Sequence, residues 1–316
     1  MPAPAPYQES TTMIVRPQPH WFRMLFVWNG SVLRAIIPQM LLMTAVSTLA
    51  VFTGGKIFGD KLPLNTSTFT LLGVALAIFL AFRNNASYDR YWEGRKIWGA
   101  LLIAARALAS QGLHYASGDA AQRQLFIDHI VLLVHALKHQ LRKTSPQADL
   151  ERLLPAAQAQ QLGQARYLPV AVMDDLRALL ARASDEGRLS DARLWACDQQ
   201  LNEINHCIGA CERIASTPIP FAYGVLLHRT VYIYCLLLPF GLVDAIGYAT
   251  PLISVFVSYT FLALEAIACD IAEPFAVSPN GLALEAISVE IERSLRELAG
   301  QPLPPAVRCG PDYRLD

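Results

Sequence analysis

The sequence predicts an all-α membrane protein with four transmembrane helices per subunit and an extensive cytoplasmic helical region. Three observations predict it. Apolar residues fill 53% of the 316 positions and charged residues only 16%, against about 25% charged in an ordinary soluble domain. Four stretches are long and apolar enough, or nearly so, to cross a bilayer. Between the second and third stretches, apolar residues recur at three- and four-residue intervals, the helical period, with few alternating segments that would read as strands.

The first span reads Ser31 to Phe52, SVLRAIIPQMLLMTAVSTLAVF. Arg34 lies near its start, where a long basic side chain can reach the headgroups. Pro38 should kink the helix or end its first turns. The second span begins near Thr66 and runs through LLGVALAIFLAF. Its apolar part is short, so its end must lie beside protein, an aqueous path or the interface. The third, Phe221 to Val243, is interrupted by His228 and Arg229 and should bend late, at Pro239. The fourth, Pro251 to Ala268, runs out at Glu265 and Asp270.

Four crossings place both termini on one side. Lys and Arg crowd residues 83–217 and the C-terminal stretch, whereas the 244–250 link has none and the 53–65 link has only Lys56 and Lys61. The positive-inside rule then puts the large middle region and both termini in the cytoplasm. The opening MPAPAPYQESTTMIVRPQPHWFRMLF lacks the basic start, apolar core and cleavage site of a signal peptide, and reads as a cytoplasmic lead into a retained helix.

Within the middle region IWGALLIAARALASQGLHY and QLFIDHIVLLVHALKHQLRKT carry helical spacing. Asp149 is placed to open a short helix in QADLERLLPAAQAQQ, and LPVAVMDDLRALLARASDEGRL should stop near Gly187. No linker marks off a second domain, so residues 1–316 read as one. The Pro- and Gly-rich tail AGQPLPPAVRCGPDYRLD either wraps another surface or stays loose.

Catalytic chemistry is hard to find. Twenty-six basic and 26 acidic residues cancel, and nothing points to nucleic acid. Six scattered cysteines suggest no disulfide framework. His135 and His139 lie one turn apart, with His129 upstream, but HALKH lacks the Glu of HExxH and reads as a polar stripe rather than a metal site. His206, Cys207 and Cys211 in NHCIGAC read as helix packing rather than metal or redox chemistry. Gly54, Gly55 and Gly59 in TGGKIFG read as a turn between helices, not a nucleotide loop. No enzyme, cofactor or metal is expected.

The stretch VALAIFLAFRNNASYDRYWEGR, Val74 to Arg95, is different. Val74, Ile78 and Phe82 fall at i, i+4 and i+8, an apolar stripe on one helix face, spanning roughly 12 Å at about 1.5 Å per residue. Such a stripe packs helices or, repeated around an axis, forms a hydrophobic constriction that gates by dewetting. The polar belt beyond it offers Asn84, Asn85 and Ser87 to water, backbone or ions. Asp89 and Arg90 suit a local pair or a network with another helix. Tyr88, Tyr91, Trp92 and Trp98 suit interfacial anchoring or packing.

RNNASYDRYWEGR at 83–95, NEIN at Asn202 to Asn205, DIAEPF at Asp270 to Phe275 and PNGLAL at Pro279 to Leu284 together resemble the bestrophin family, in particular its bacterial homologues. The resemblance implies a homopentameric ion channel in the bacterial inner membrane, whose partners are its own copies, permeant monovalent ions and membrane lipids. It places the pore neck on Val74, Ile78 and Phe82 and a lower aperture near Asp191 to Cys197. Eukaryotic members carry an acidic Ca²⁺ clasp after the Pro-Phe landmark. Here AVSPNGLALE, Ala276 to Glu285, has one carboxylate, too few for a hard cation, which implies a channel without that clasp. Asp89, Glu93, Asp191 and Asp198 could attract cations, and Arg83, Arg90 and Arg95 anions. The bacterial landmarks favour monovalent cations such as sodium and potassium. A chloride-selective channel and a non-conducting membrane scaffold are the alternatives.

Overall fold

The computed structural model describes residues 13–14, 20–28, 30–57, 60–61, 66–116, 118–310 and 313–315. The first twelve residues, read above as a cytoplasmic lead, and Gly59 of the glycine turn lie outside that set. In chain order the helices are α1 (Trp21–Met24), α2 (Leu33–Phe52), α3 (Thr66–Tyr115), α4 (Ala120–Arg142), α5 (Gln147–Leu153), α6 (Ala156–Leu162), α7 (Leu168–Asp185), α8 (Asp191–Ser216), α9 (Phe221–Ile246), α10 (Thr250–Ile271) and α11 (Leu284–Leu298). Strand is confined, among the described residues, to two antiparallel pairs of two residues each, Met13–Ile14 with Arg314–Leu315 and Lys56–Ile57 with Asp60–Lys61. The fold is all-α.

The chain forms two compact units. The first takes residues from 17–91 and 218–273, and the second from 92–217 and 274–316 with the strand Met13–Ile14. Among the described residues, three segments are long and apolar enough to cross a membrane: Leu33–Phe52, Ser67–Tyr115 and Phe221–Ile271. The last holds both α9 and α10, joined by a 3-10 turn at Gly247–Ala249. Gly247 has φ 52° and ψ −124°, a conformation a side chain would strain.

In the first unit α2, α9, α10 and residues 66–91 of α3 close on a core that includes Met43, Phe69, Leu76, Val231, Tyr234, Leu238 and Leu262. Two glycines let these helices approach, because a β-carbon at Gly73 would meet the Tyr234 ring and one at Gly241 the Phe69 ring. Pro38 and Pro239 end neither helix. Each sits inside a continuous element, held by tertiary packing that offsets the lost backbone donor. Hydroxyls in α2 turn back on their own helix, with Thr44 Oγ1 donating to the Met40 carbonyl and Ser47 Oγ to that of Met43, each at 2.8 Å. Hydrocarbon offers no other partner.

The apolar part of the second span is followed by more helix. α3 does not stop at the polar belt but runs on to Tyr115, 50 residues in all, about 75 Å, so the expected helix IWGALLIAARALASQGLHY is its continuation.

The second unit is built around α4, in which every residue from Phe126 to Lys138 is buried. Asp119 starts it with a capping box to Gln122, and Lys143, at φ 55°, ends it. Burial on all sides forces its polar residues to find partners. His129 Nδ1 donates to the Leu125 carbonyl at 2.7 Å while Gln158 donates to its Nε2. Burial pushes this imidazole's pKa down, which suits the neutral ring. Lys138 lies 2.6 Å from Glu285 and 3.2 Å from His135 Nδ1. That makes Nδ1 an acceptor and leaves Nε2–H to donate to Glu292 at 2.9 Å. Arg152 and Arg296 each reach Glu292 at 2.7 Å.

α5 begins at Gln147 rather than at Asp149. The Asp149 carboxylate instead takes His139 at 3.0 Å and Arg152 at 2.9 Å. The expected stop near Gly187 is met, with α7 ending at Asp185 and Gly187 at φ 70°.

Burial alone would raise the pKa of Glu292 and Asp149, but hydrogen bonds from His135, His139, Arg152 and Arg296 and the nearby charges of Arg152 and Lys138 outweigh it and hold both well below the carboxylate range. A depressed folded-state pKa adds stability that is present above the unfolded value and lost as pH falls below it. The thermal midpoint of purified protein should therefore decline as pH drops below about 4. Glu292→Ala, which removes the buried carboxylate shared by His135, Arg152 and Arg296, should cost about 3–5 kcal/mol at neutral pH and flatten that acid dependence. A wild-type midpoint for the variant would show that these pairs do not stabilise the fold.

Candidate functional site

In residues 66–91, α3 has two opposed faces. Phe69, Leu76, Leu80, Arg83 and Ser87 are buried, and their spacing puts them in one row. Val74, Ile78 and Phe82 are 54%, 51% and 63% exposed. At 100° per residue they stand on the side away from that row. Asn85 and Asp89 continue the same exposed face in steps of three and four and are themselves exposed. Leu71 and Phe79 are exposed as well, so in a single chain this side of α3 is a broad apolar surface.

The belt beyond the stripe resolves into separate jobs. Asn84 Nδ2 donates back to the Leu80 carbonyl at 3.0 Å. Arg90 Nε donates to the Ala272 carbonyl at 3.0 Å, a cation on the free carbonyls at the C-terminus of α10, where the helix dipole favours it. This is the network with another helix, not a pair confined to Asp89 and Arg90. Arg83 is buried, and its Nη2 donates to Cys269 Sγ at 2.9 Å. In the second unit Arg213 pairs with Glu93, and Arg95 lies over the Trp92 ring. Trp98 is buried there, a packing residue rather than an anchor.

Asp191 to Cys197 forms the first two turns of α8. Trp195 is exposed and Cys197 buried. Asp198 is held by Arg177 at 3.0 Å, and the same guanidinium reaches Asn202 of the NEIN segment. The WEGR and EPF landmarks meet, since a β-carbon at Gly94 would stand 3.2 Å from the Phe275 ring. The histidine stripe is absorbed into the charge network of α4, and no cluster of three or more metal-ligating side chains occurs among the described residues.

Sequence reasoning missed that network. Its signal was present in α11, where Glu285, Ser288, Glu292 and Arg296 recur at three- and four-residue steps and so share one face.

A family profile described as Bacterial/Fungal Bestrophin protein matches residues 13–297. The chain belongs to the bestrophin family. A voltage-dependent anion channel-forming protein of Ralstonia nicotianae is 47% identical over 292 residues, 92% of this chain and 95% of that protein. The voltage-dependent anion channel-forming protein YneE of Escherichia coli is 40% identical over 295 residues, 93% and 96% of the two chains. A crystal structure of a bacterial bestrophin homologue from Klebsiella pneumoniae superposes with a TM-score of 0.82 at 39% identity, covering 84% of this chain and 99% of that one.

This bestrophin is therefore a multi-pass bacterial membrane protein and not an enzyme. The relatives named for anions overturn the expectation of monovalent cation conduction. That expectation leaned on the bacterial character of the landmarks, which is shared by relatives named for anions; of the carboxylates that could attract cations, Glu93 and Asp198 are taken by Arg213 and Arg177.

The cysteines separate by environment. Burial pushes the Cys197 and Cys207 thiols up to about 11 and raises Cys211 further, whereas Cys309 is exposed. A water-soluble maleimide at pH 7.5 should label Cys309 and leave all three α8 thiols unmodified until the protein is denatured, as peptide mass mapping would read.

Proposed function

We propose that this bestrophin is the subunit of a homopentameric channel that conducts anions passively across the bacterial inner membrane. The observation that carries the reading is the exposed Val74, Ile78 and Phe82 row on the side of α3 away from its packed residues. Five copies around an axis would cover that surface and turn it into three stacked apolar rings. Such a neck gates by dewetting and offers few strong binding sites, so ions pass without being trapped. The names of the relatives support an anion as the permeant species.

In this reading α2, α3, α9 and α10 each cross the membrane. α9 and α10 have 26 and 22 residues, about 39 and 33 Å, and each alone matches a hydrocarbon core of about 30 Å. Four crossings return both termini to the cytoplasm, with the basic-rich middle region, and both units work as one channel body. Asp89, exposed below the neck on the same face, works against anions, and its removal should strengthen their preference.

In planar bilayers with a KCl gradient, purified protein should give currents reversing near the chloride equilibrium potential. Reversal near that of potassium would overturn the anion assignment. Asp89→Asn should move the reversal further toward chloride. Val74→Ala, Ile78→Ala and Phe82→Ala combined should raise conductance or loosen gating in intact pentamers. Single cysteines at these positions should react with small soluble thiol reagents, and unreactive cysteines in intact pentamers would make the stripe a dry packing surface.

A further inference from the structure

Arg83 does not belong to the proposed conduction path. It is 8% exposed, on the packed side of α3, and its one hydrogen bond among the described residues runs to the thiol of Cys269. Its Nε and Nη1 are buried and find no hydrogen-bond partner among the described residues. An always-charged guanidinium with donors left open is among the most costly groups to bury, and native structures rarely leave such donors without a partner.

Arg83 lines a cleft of about 400 Å³, formed by the end of the apolar part of α3, the start of α9 and the end of α10. Three features of this cleft favour an oxyanion. α9 begins here at Phe221 with Pro220 as its cap and no side chain satisfying its first N–H groups, so the positive end of a 26-residue helix adjoins the cleft. Arg229, one side chain of the same wall, adds a second guanidinium. The buried carboxylate of the wall, Glu265, is already taken by His228 Nδ1 at 2.6 Å and forms no ion pair with Arg83. The remaining carboxylate, Glu273, is exposed at the rim.

The rest of the lining is apolar, including Ile219, Val225 and the largely exposed Phe221. A cleft this size leaves most of its space empty around a halide. It suits a larger group with a charged head and an apolar shoulder, placed where the apolar spans give way to the polar belt.

We propose that this cleft binds a phosphate-type oxyanion, with Arg83 as the charged anchor and the start of α9 beside it. The same chemistry has two sources, the headgroup of an anionic phospholipid and free phosphate, and the apolar shoulder favours the lipid. The site does not depend on ion selectivity or on the neck, so either proposal can fail alone.

Gly224 supplies the test. A β-carbon there would lie 3.8 Å from Arg83 Nη2 and 4.0 Å from Nη1, an ordinary contact. A leucine at this position keeps Arg83 and fills the space beside its guanidinium. Full-length protein in detergent is titrated with didecanoyl phosphatidylglycerol, inorganic phosphate or didecanoylglycerol, and binding is read by native mass spectrometry and by thermal shift. Wild-type protein should retain phosphatidylglycerol at one per chain and discriminate against didecanoylglycerol. Gly224→Leu and Arg83→Gln should each weaken that binding about tenfold or more, with Gly224→Leu keeping the wild-type oligomer size.

Stabilisation by inorganic phosphate as well would identify an oxyanion site open to free phosphate, and phosphate without effect would identify the lipid as the source. Equal retention of phosphatidylglycerol by wild type and Gly224→Leu, equal retention of didecanoylglycerol, or no binding of either phosphate probe would overturn the site.

Discussion

A helix in hydrocarbon has no water to satisfy what its neighbours leave open, and in this bestrophin that constraint falls hardest on α3. Its buried row, Phe69, Leu76, Leu80, Arg83 and Ser87, ties it to α9 and α10, with Gly73 and Gly241 removing the β-carbons that would hold the helices apart. Once that row is committed, the register of the other side follows from the helical period. Val74, Ile78 and Phe82 have to face outward, and what the stripe meets is decided by the assembly rather than by the chain.

Charge follows the same rule with a different solution in each unit. In the first, basic groups sit at the ends of the apolar segments. Arg90 neutralises carbonyls at the end of α10, and Arg83 lies at the edge of a cleft with part of its hydrogen-bonding capacity unused. In the second, α4 is surrounded, and a closed set of pairs meets the cost of burying His135, Lys138 and Glu292. Truncating one partner of such a set leaves an uncompensated charge. This makes the network a rigid support, and it explains why paired histidines at one-turn spacing need not signal a metal.

The sequence alone determined the helical class, the positions of the apolar spans to within a few residues and the family. Each follows from quantities local in the chain: apolar period, run length, charge asymmetry across links, and motifs such as RNNASYDRYWEGR and DIAEPF. It also placed Val74, Ile78 and Phe82 on one face, because helical spacing alone settles which residues share a side.

Tertiary structure decided what those residues meet. The continuation of α3 past the belt depended on packing that sustains a helix through Asn84, Asn85 and Ser87, residues of weak helix propensity. The partners of Glu93, Asp198, Asp149 and Glu292 lie between 3 and 157 positions away in the chain, so a count of carboxylates could not say which were free to attract an ion. The burial of Arg83 was equally invisible, since its nearest acceptor is 186 residues distant. Local pattern specifies faces, and only the folded chain determines which of those faces and charges remain unspent.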